Sequence, residues 1–376
     1  MAQTYRVGVI GFAHMHINEL MGSFKELPNV EWVACADTVP DRTERVHGIF
    51  SRSWNLNHAR TEIGIPKVYD DYRQMLDKEK FDIVLFCPEN SRHGEVAEAI
   101  AAHGAHMVTE KPMAATLPEA LRMYRAAQAA GVELMVNWPS TWWTGVRKAK
   151  ELVDRGEIGD LWEVKWRAGS LGPLAPGSTH PGVDGKAVEI TDAERASTWW
   201  HHSATGGGAL LDYCCYGACL ARWYIGQPAV AALGLRANLA SQYGTGDDNA
   251  IITVRFPRSV AILEATWSCV DHGVANGPLL YGTKGTIVVD IYHEPNMLTL
   301  IRGKGEAGQK MAGDPLPAGR ETLAKEFLHH LETGEPLHET LQPQFNLEAQ
   351  AILDAGIRSA SSGKIELVND AGWVIG

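Results

Sequence analysis

Asp212 and Tyr216 stand four residues apart in a segment that the glycine run GGG (206–208) opens as a helix, so both side chains share one face. A carboxylate and a phenol placed together can hold and move a proton. Hydride exchange at an alcohol carbon needs such a group, to take the hydroxyl proton or, in reverse, to return it. A tyrosine with its ordinary pKa of about 10 is a poor base at neutral pH. A nearby ammonium such as that of Lys111 would stabilise the phenolate and lower that value. A second constellation lies near the N-terminus. The run GFAHMH (11–16) follows an apolar strand and precedes a helix, the context in which G-x-G-x-x-G seats a pyrophosphate on helix N–H groups. Gly11 keeps the first position, while Ala13 and His16 take the second and third. Ala13 still allows a close backbone approach, whereas His16 must point away or change how helix packs on strand. On this reading Gly11, Phe12, Ala13 and His14 border the phosphates; an ordinary βα turn without ligand is the alternative. Asp37 ends the next strand, where a carboxylate accepts hydrogen bonds from the adenosine ribose and repels a 2′-phosphate. NAD is therefore expected over NADP. Arg42, read as a solvated helix charge, is the one group that could complicate this.

The elements needed to hold these residues are visible in the periodicity. Strands are expected at 5–11, 30–37, 81–87, 105–110 and 132–137, with helices at 15–26, 41–52, 70–79, 92–103 and 116–130. Strands alternating with helices predict βαβ units and a parallel sheet covered on both faces. Pro88, Asn90, His93 and Glu110 follow or end strands of that sheet at its carboxyl side, where ligands of open α/β sheets lie. Beyond residue 150 the rhythm changes. A helix at 141–155 leads to a strand LWEVKWRAG (161–169), a long Gly/Pro/Ser-rich loop (171–196), and the GGG helix. Six β-like segments follow between 229 and 302 with tight turns and no helices, then two closing helices at 319–333 and 344–362. The expected fold is an N-terminal Rossmann domain (1–137) and a C-terminal α+β domain (138–376). The second carries a large, mostly antiparallel, open-faced sheet, and the closing helices are placed to pack back on the first domain.

The stretch CPENSRHGEVAEAIAAHGAHMVTEKPMA (87–114), the helix GGGALLDYCCYGACLARWYIGQP (206–228), the strand pair YGTKGTIVVD (281–290) and the closing helices resemble, in that order, the Gfo/Idh/MocA oxidoreductases. The resemblance spans essentially the whole chain. It implies hydride transfer between a nicotinamide and a carbinol or carbonyl carbon of a sugar, cyclitol or related cyclic alcohol. The family's EKP lysine falls on Lys111, beside the reacting oxygen. Its D-x-G-x-H motif falls on Asp212, Tyr213, Cys214, Cys215 and Tyr216, with cysteine for glycine and tyrosine for histidine. Tyrosine there resembles the branch that includes glucose–fructose oxidoreductase and makes inositol dehydrogenase itself a poorer match. Lys111, Asp212 and Tyr216 are thus the expected catalytic residues, and Glu110 is expected near the nicotinamide ribose. Two other readings stay open: a non-catalytic NAD-binding sensor, and a lyase or glycosidase that retains its NAD.

Trp138 and Trp142, after the 132–137 strand, and Trp200 and His201, before the GGG run, are candidates for the substrate cleft, because indole packs on the C–H faces of sugars. His14/His16 and His201/His202 supply too few converging ligands for a zinc site, so no metal is expected. The net charge of −11 argues against nucleic acid or an anionic membrane as partner. Six cysteines without a CxxC pair read as reduced core residues. With no signal peptide or membrane-length apolar run in view, a cytoplasmic location is expected. Alternating strands such as AIITVRF and AILEATW offer a face for a homodimer or homotetramer.

Overall fold

The computed structural model describes residues 3–40, 42–241 and 243–368. Its first sheet contains β1 (Tyr5–Phe12), β2 (Val30–Ala36), β3 (Val68–Tyr69), β4 (Ile83–Cys87), β5 (His106–Glu110) and β6 (Leu134–Asn137). They pair in parallel in the order β3-β2-β1-β4-β5-β6. Strand order reverses between β1 and β4, and that reversal opens a crevice outside the carboxyl ends. All five residues of β4 are buried, as a strand covered on both faces requires. The helices α1 (Ile17–Lys25), α2 (Arg52–His58), α3 (Tyr72–Lys78), α4 (His93–Ala102) and α5 (Leu117–Ala130) cover it.

The helix expected at 41–52 does not form. The described part of this stretch is irregular up to Ser51, whose hydroxyl caps α2 by accepting from the Trp54 N–H at 3.4 Å. Helix formation starts only there, and the first residue of α2, Arg52, turns inward onto Asp37. The strand β3 pairs over two residues only, too short a run for an alternating pattern to mark in the sequence.

After α6 (Thr144–Asp154), β7 runs over Leu161–Gly169, as the alternation in LWEVKWRAG predicts. The second sheet adds β8 (Ala231–Ala237), β9 (Asn249–Arg255), β10 (Val260–Thr266), β11 (Gly277–Gly282), β12 (Thr286–Val288), β13 (Met297–Ile301), β14 (Gln309–Ala312) and β15 (Glu366–Leu367). Its order is β14-β13-β12-β11-β7-β10-β9-β8-β15, antiparallel except for β7 with β10. The long loop contains one short helix, α7 (Asp192–Ser197), started by a Thr191/Glu194 capping box. A wide π-type turn over Leu210–Cys214 leads into α8 (Cys215–Ile225), and α9 (Leu323–Thr333) and α10 (Pro343–Ser362) close the fold. The α9 helix packs on α1, where the Ala324 N–H donates to Ser23 Oγ at 3.2 Å. No helix among the described residues is long and apolar enough to cross a membrane.

Candidate active site

Lys111 leaves the end of β5 and reaches the π-type turn of the second sheet's helix. Its Nζ lies 2.8 Å from Asp212 Oδ1 and 2.9 Å from the Asp212 carbonyl oxygen. The indole N–H of Trp267 donates to Asp212 Oδ2 at 3.0 Å, so both carboxylate oxygens are engaged. The Lys111 ammonium also stands 4.7 Å from the centre of the Tyr216 ring. That ring is boxed by Trp166 (5.4 Å, nearly parallel), Trp143 and Trp138. The widened turn keeps Asp212 and Tyr216 on the side facing Lys111, so the three expected catalytic residues do converge.

These groups form one wall of a cavity of about 560 Å³, which His14, His16, His180, Trp200 and Tyr292 also line. Of the four expected substrate residues only Trp200 lines it. Trp138 is buried behind Tyr216 with its N–H on Asn346 Oδ1 at 2.6 Å. Trp142 instead donates to Asn137 Oδ1 at 2.9 Å and borders a separate open groove, and His201 packs on Tyr243 and Trp267. His180, Tyr213 and Tyr292 were not foreseen. The signal available for His180 was its place in a long loop without secondary structure, a common location for binding residues.

The phenol of Tyr216 does not behave as the sequence suggested. Burial raises its pKa well above the ordinary value, and the opposing charge of Lys111 is too weak to reverse this. For Lys111, burial works against the charge, but Asp212, Tyr216 and Cys215 outweigh it and hold the ammonium well above its usual pKa. Both groups carry their protons at neutral pH.

The turn after β1 approaches Pro88 closely and leaves backbone N–H groups at the start of α1. Gly11 takes φ +80°, and a Cβ there would stand 2.6 Å from the Pro88 nitrogen. Among the described residues, the Ala13 and Met15 N–H groups make no hydrogen bond, at the positive end of α1. Asp37 Oδ1 accepts from the Phe12 and Thr38 N–H groups and from Arg52, at 3.0, 2.8 and 2.8 Å. Its second oxygen keeps no such partner among the described residues. Arg42 lies elsewhere, on a surface groove with Arg45 and Ser197. Arg52 is the cation at this position, shared between Asp37, Glu44 and Glu89. Free N–H donors and an available carboxylate oxygen at the two ends of this track fit a dinucleotide. The Trp199 indole N–H donates to the Ala13 carbonyl at 2.9 Å and Trp200 packs on His14, so this indole pair roofs the turn. Asn90 Nδ2 donates to the Gly206 carbonyl at 2.8 Å, joining the sheet end to the GGG run, while its Oδ1 stays unpartnered. His93 is buried with Nδ1 3.0 Å from the Met113 carbonyl, and burial lowers its pKa to about 4.

Residues 5–138 match the profile of an oxidoreductase family with an NAD-binding Rossmann fold, and residues 146–288 match the C-terminal domain of the same family. The chain belongs to the Gfo/Idh/MocA family. It is 23% identical to myo-inositol 2-dehydrogenase of Thermotoga maritima over 88% of this chain and 89% of that protein. It is 26% identical to levoglucosan dehydrogenase of Pseudarthrobacter phenanthrenivorans over 61% and 60%. Among solved structures, the aldose–aldose oxidoreductase of Caulobacter crescentus, in complex with glycerol, superposes with a TM-score of 0.75 at 21% identity, covering 97% of this chain and all of that one. A levoglucosan dehydrogenase, in complex with NADH and levoglucosan, gives 0.72 at 21%, covering 98% and 100%. This family member keeps the lysine–aspartate pair and departs from the usual glycine-rich turn at Ala13 and His16.

Proposed function

We propose that this oxidoreductase is an NAD-dependent dehydrogenase or reductase acting on a hydroxyl-bearing carbon of a sugar, cyclitol or related cyclic alcohol. The observation that carries this is the Lys111–Asp212 pair, 2.8 Å long, at a cavity wall beside the dinucleotide turn. NAD would be held by the Ala13 and Met15 N–H groups and by Asp37, and supplies hydride acceptance or donation. Lys111 presents its ammonium to the reacting oxygen, and Asp212 holds it in place. Because Lys111 and Tyr216 both keep their protons, they meet a carbonyl oxygen as acids; Lys111 transfers the proton and the Tyr216 hydroxyl donates a hydrogen bond. Carbonyl reduction then proceeds at neutral pH, and alcohol oxidation speeds up as pH rises. Trp143, Trp166 and Trp200 supply apolar faces for a ring. The test is a panel of sugars, cyclitols and their keto forms, followed through NADH absorbance in both directions. No turnover with any member overturns the reading.

The roof over the turn favours a second reading, in which the dinucleotide is retained between turnovers. Purified protein would then carry one bound NAD per chain and release no free NADH during turnover. Rapid exchange with added NAD excludes it.

A further inference from the structure

We propose that the substrate is an uncharged cyclic alcohol with an apolar substituent, its ring facing Lys111 and its substituent resting on Leu171, Val270 and Tyr292 at the cavity's mouth. The inference rests on the dehydrogenase reading and narrows its substrate class to glycoside-like molecules. The topology of the second sheet gathers the three residues. β7 and β10 are parallel neighbours, so their chains leave the sheet at the same end. There the Cys269 N–H donates to the Ser170 carbonyl at 3.2 Å, tying the two departing segments together, and Leu171 and Val270 follow directly. β11 is antiparallel to β7, and β12 to β11, so the chain leaving β12 emerges at that end too. Tyr292 lies on it, and its hydroxyl donates to the Gly169 carbonyl at 3.2 Å.

Leu171, Val270 and Tyr292 line the same cavity as Lys111, Asp212 and Tyr216. They are nevertheless 49%, 86% and 48% exposed, whereas Trp166 and Trp200 further in are 1% and 4% exposed. The cavity thus runs from a buried aromatic interior to an apolar rim that faces water. Apolar side chains grouped in this way at a cleft mark a surface that a ligand covers. Their continuity with the reacting groups makes that ligand the substrate itself. The aliphatic side chains that favour association of two copies, Leu233, Leu235 and Ile251, belong to β8 and β9 instead.

Charge argues against a phosphate or carboxylate on the substrate. Among the described residues Lys111 is the one lysine or arginine that lines the cavity, and Asp212 already neutralises it. His16 stands 3.2 Å from Glu110, so a proton it takes up is balanced there. Burial lowers the pKa of His14 and His180, which stay uncharged at neutral pH. An anion in this cavity would lose its hydration and find no free cation in exchange. Ring hydroxyls lose less and gain neutral partners. The hydroxyls of Ser170 and Tyr213 lie 3.2 Å apart on the wall beneath the rim and can both give and accept hydrogen bonds.

The experiment measures binding by calorimetry to full-length protein saturated with NADH. Glucose, galactose and mannose are each compared with their phenyl glycoside and their 6-phosphate. In at least one of these sets the phenyl glycoside should bind roughly tenfold more tightly than the free sugar, the gain expected for covering two apolar side chains. The 6-phosphate should not bind. Leu171→Ser/Val270→Ser, at exposed positions, should erase the glycoside's advantage and leave the affinity for the free sugar unchanged. If the double variant fails to melt cooperatively, Val270→Ser carries the comparison. Phenyl glycosides that bind no more tightly than the free sugars in every set, or 6-phosphates that bind as well, overturn the inference. So does an advantage that survives in the folded variant. Turnover of cyclic alcohols without this preference sinks the substrate class alone, whereas the preference in binding without any turnover sinks the dehydrogenase reading alone.

Discussion

Lys111 and Asp212 meet at 2.8 Å across the boundary between the two sheets, the lysine from the end of the parallel sheet and the aspartate from the turn that opens α8. The lysine is 2% exposed, so its charge is tolerable only because the carboxylate stands opposite. The pair therefore ties the end of the parallel sheet to the turn that opens α8.

Lys111→Met should therefore damage both activity and stability. Removing one partner of a buried pair costs about 3 kcal/mol or more. Lys111→Met/Asp212→Asn should regain much of the melting temperature and none of the turnover, which should stay down at least a hundredfold. Equal thermal stability of single variant and wild type would show that the pair is not structural. A single variant with near-normal turnover would remove Lys111 from the chemistry.

Tyr216→Phe separates ring from hydroxyl. The ring stays boxed between Trp166 and Trp143 and still faces the Lys111 ammonium. On the proposed role only one hydrogen bond to the reacting oxygen would be lost, so turnover should fall by about tenfold. A loss of a thousandfold, with a changed pH profile, would mean that the phenol itself transfers the proton.

Much of this was readable along the chain. The βαβ alternation located the parallel sheet, and the i, i+4 spacing brought Asp212 and Tyr216 to one side. What stayed hidden depends on long-range packing. Arg52 replaces Arg42 beside Asp37 because the chain from 42 to 50 stays irregular and α2 starts late. His180 reaches His16 through a loop whose path no periodicity encodes. The Tyr216 phenol was misjudged for a similar reason: neighbouring charge is visible in sequence, whereas the extent of burial, which here outweighs it, is not.

His93 gives a pH test. Burial lowers its pKa to about 4, against 6.5 in an unfolded chain, so between these values only the unfolded form binds the proton. Its contribution is therefore complete above pH 6.5 and is lost as pH falls towards 4, about 3 kcal/mol in all. His93→Gln, whose amide can still reach the Met113 carbonyl, should show a shallower fall in melting temperature over that range. Parallel curves for wild type and variant would show that His93 is already charged in the folded protein.

The free face of the second sheet should bury itself against another copy. Leu233, Leu235 and Ile251 of β8 and β9 are all exposed on it. Solvent-facing aliphatic side chains on neighbouring strands favour association. Light scattering should give a mass two or four times the 41.1 kDa of the chain, and Leu235→Arg should reduce it. A wild-type monomer at micromolar concentration rules this out.

Asp37 and Arg52 together should set cofactor choice. Asp37 Oδ1 is occupied by two backbone N–H groups and by Arg52, so its orientation is fixed before any ligand arrives. Its other oxygen, without such a partner among the described residues, would accept from the adenosine ribose hydroxyls on the proposed reading. Each hydrogen bond to such a charged group contributes about 1.5–3 kcal/mol, so losing one or two to a 2′-phosphate gives roughly ten- to several-hundred-fold preference for NAD. Arg52 would attract that phosphate if it were free, but Asp37, Glu44 and Glu89 share its guanidinium. Asp37→Ser removes the repelling charge and releases one of the three restraints on Arg52. It should weaken NAD and strengthen NADP, while Asp37→Ser/Arg52→Ala should weaken NAD without the gain for NADP. Titration of both cofactors against the three proteins decides the matter. Equal affinity of the wild type for NAD and NADP would mean that Asp37 does not face the ribose. A gain for NADP that survives loss of Arg52 would assign the phosphate to another cation.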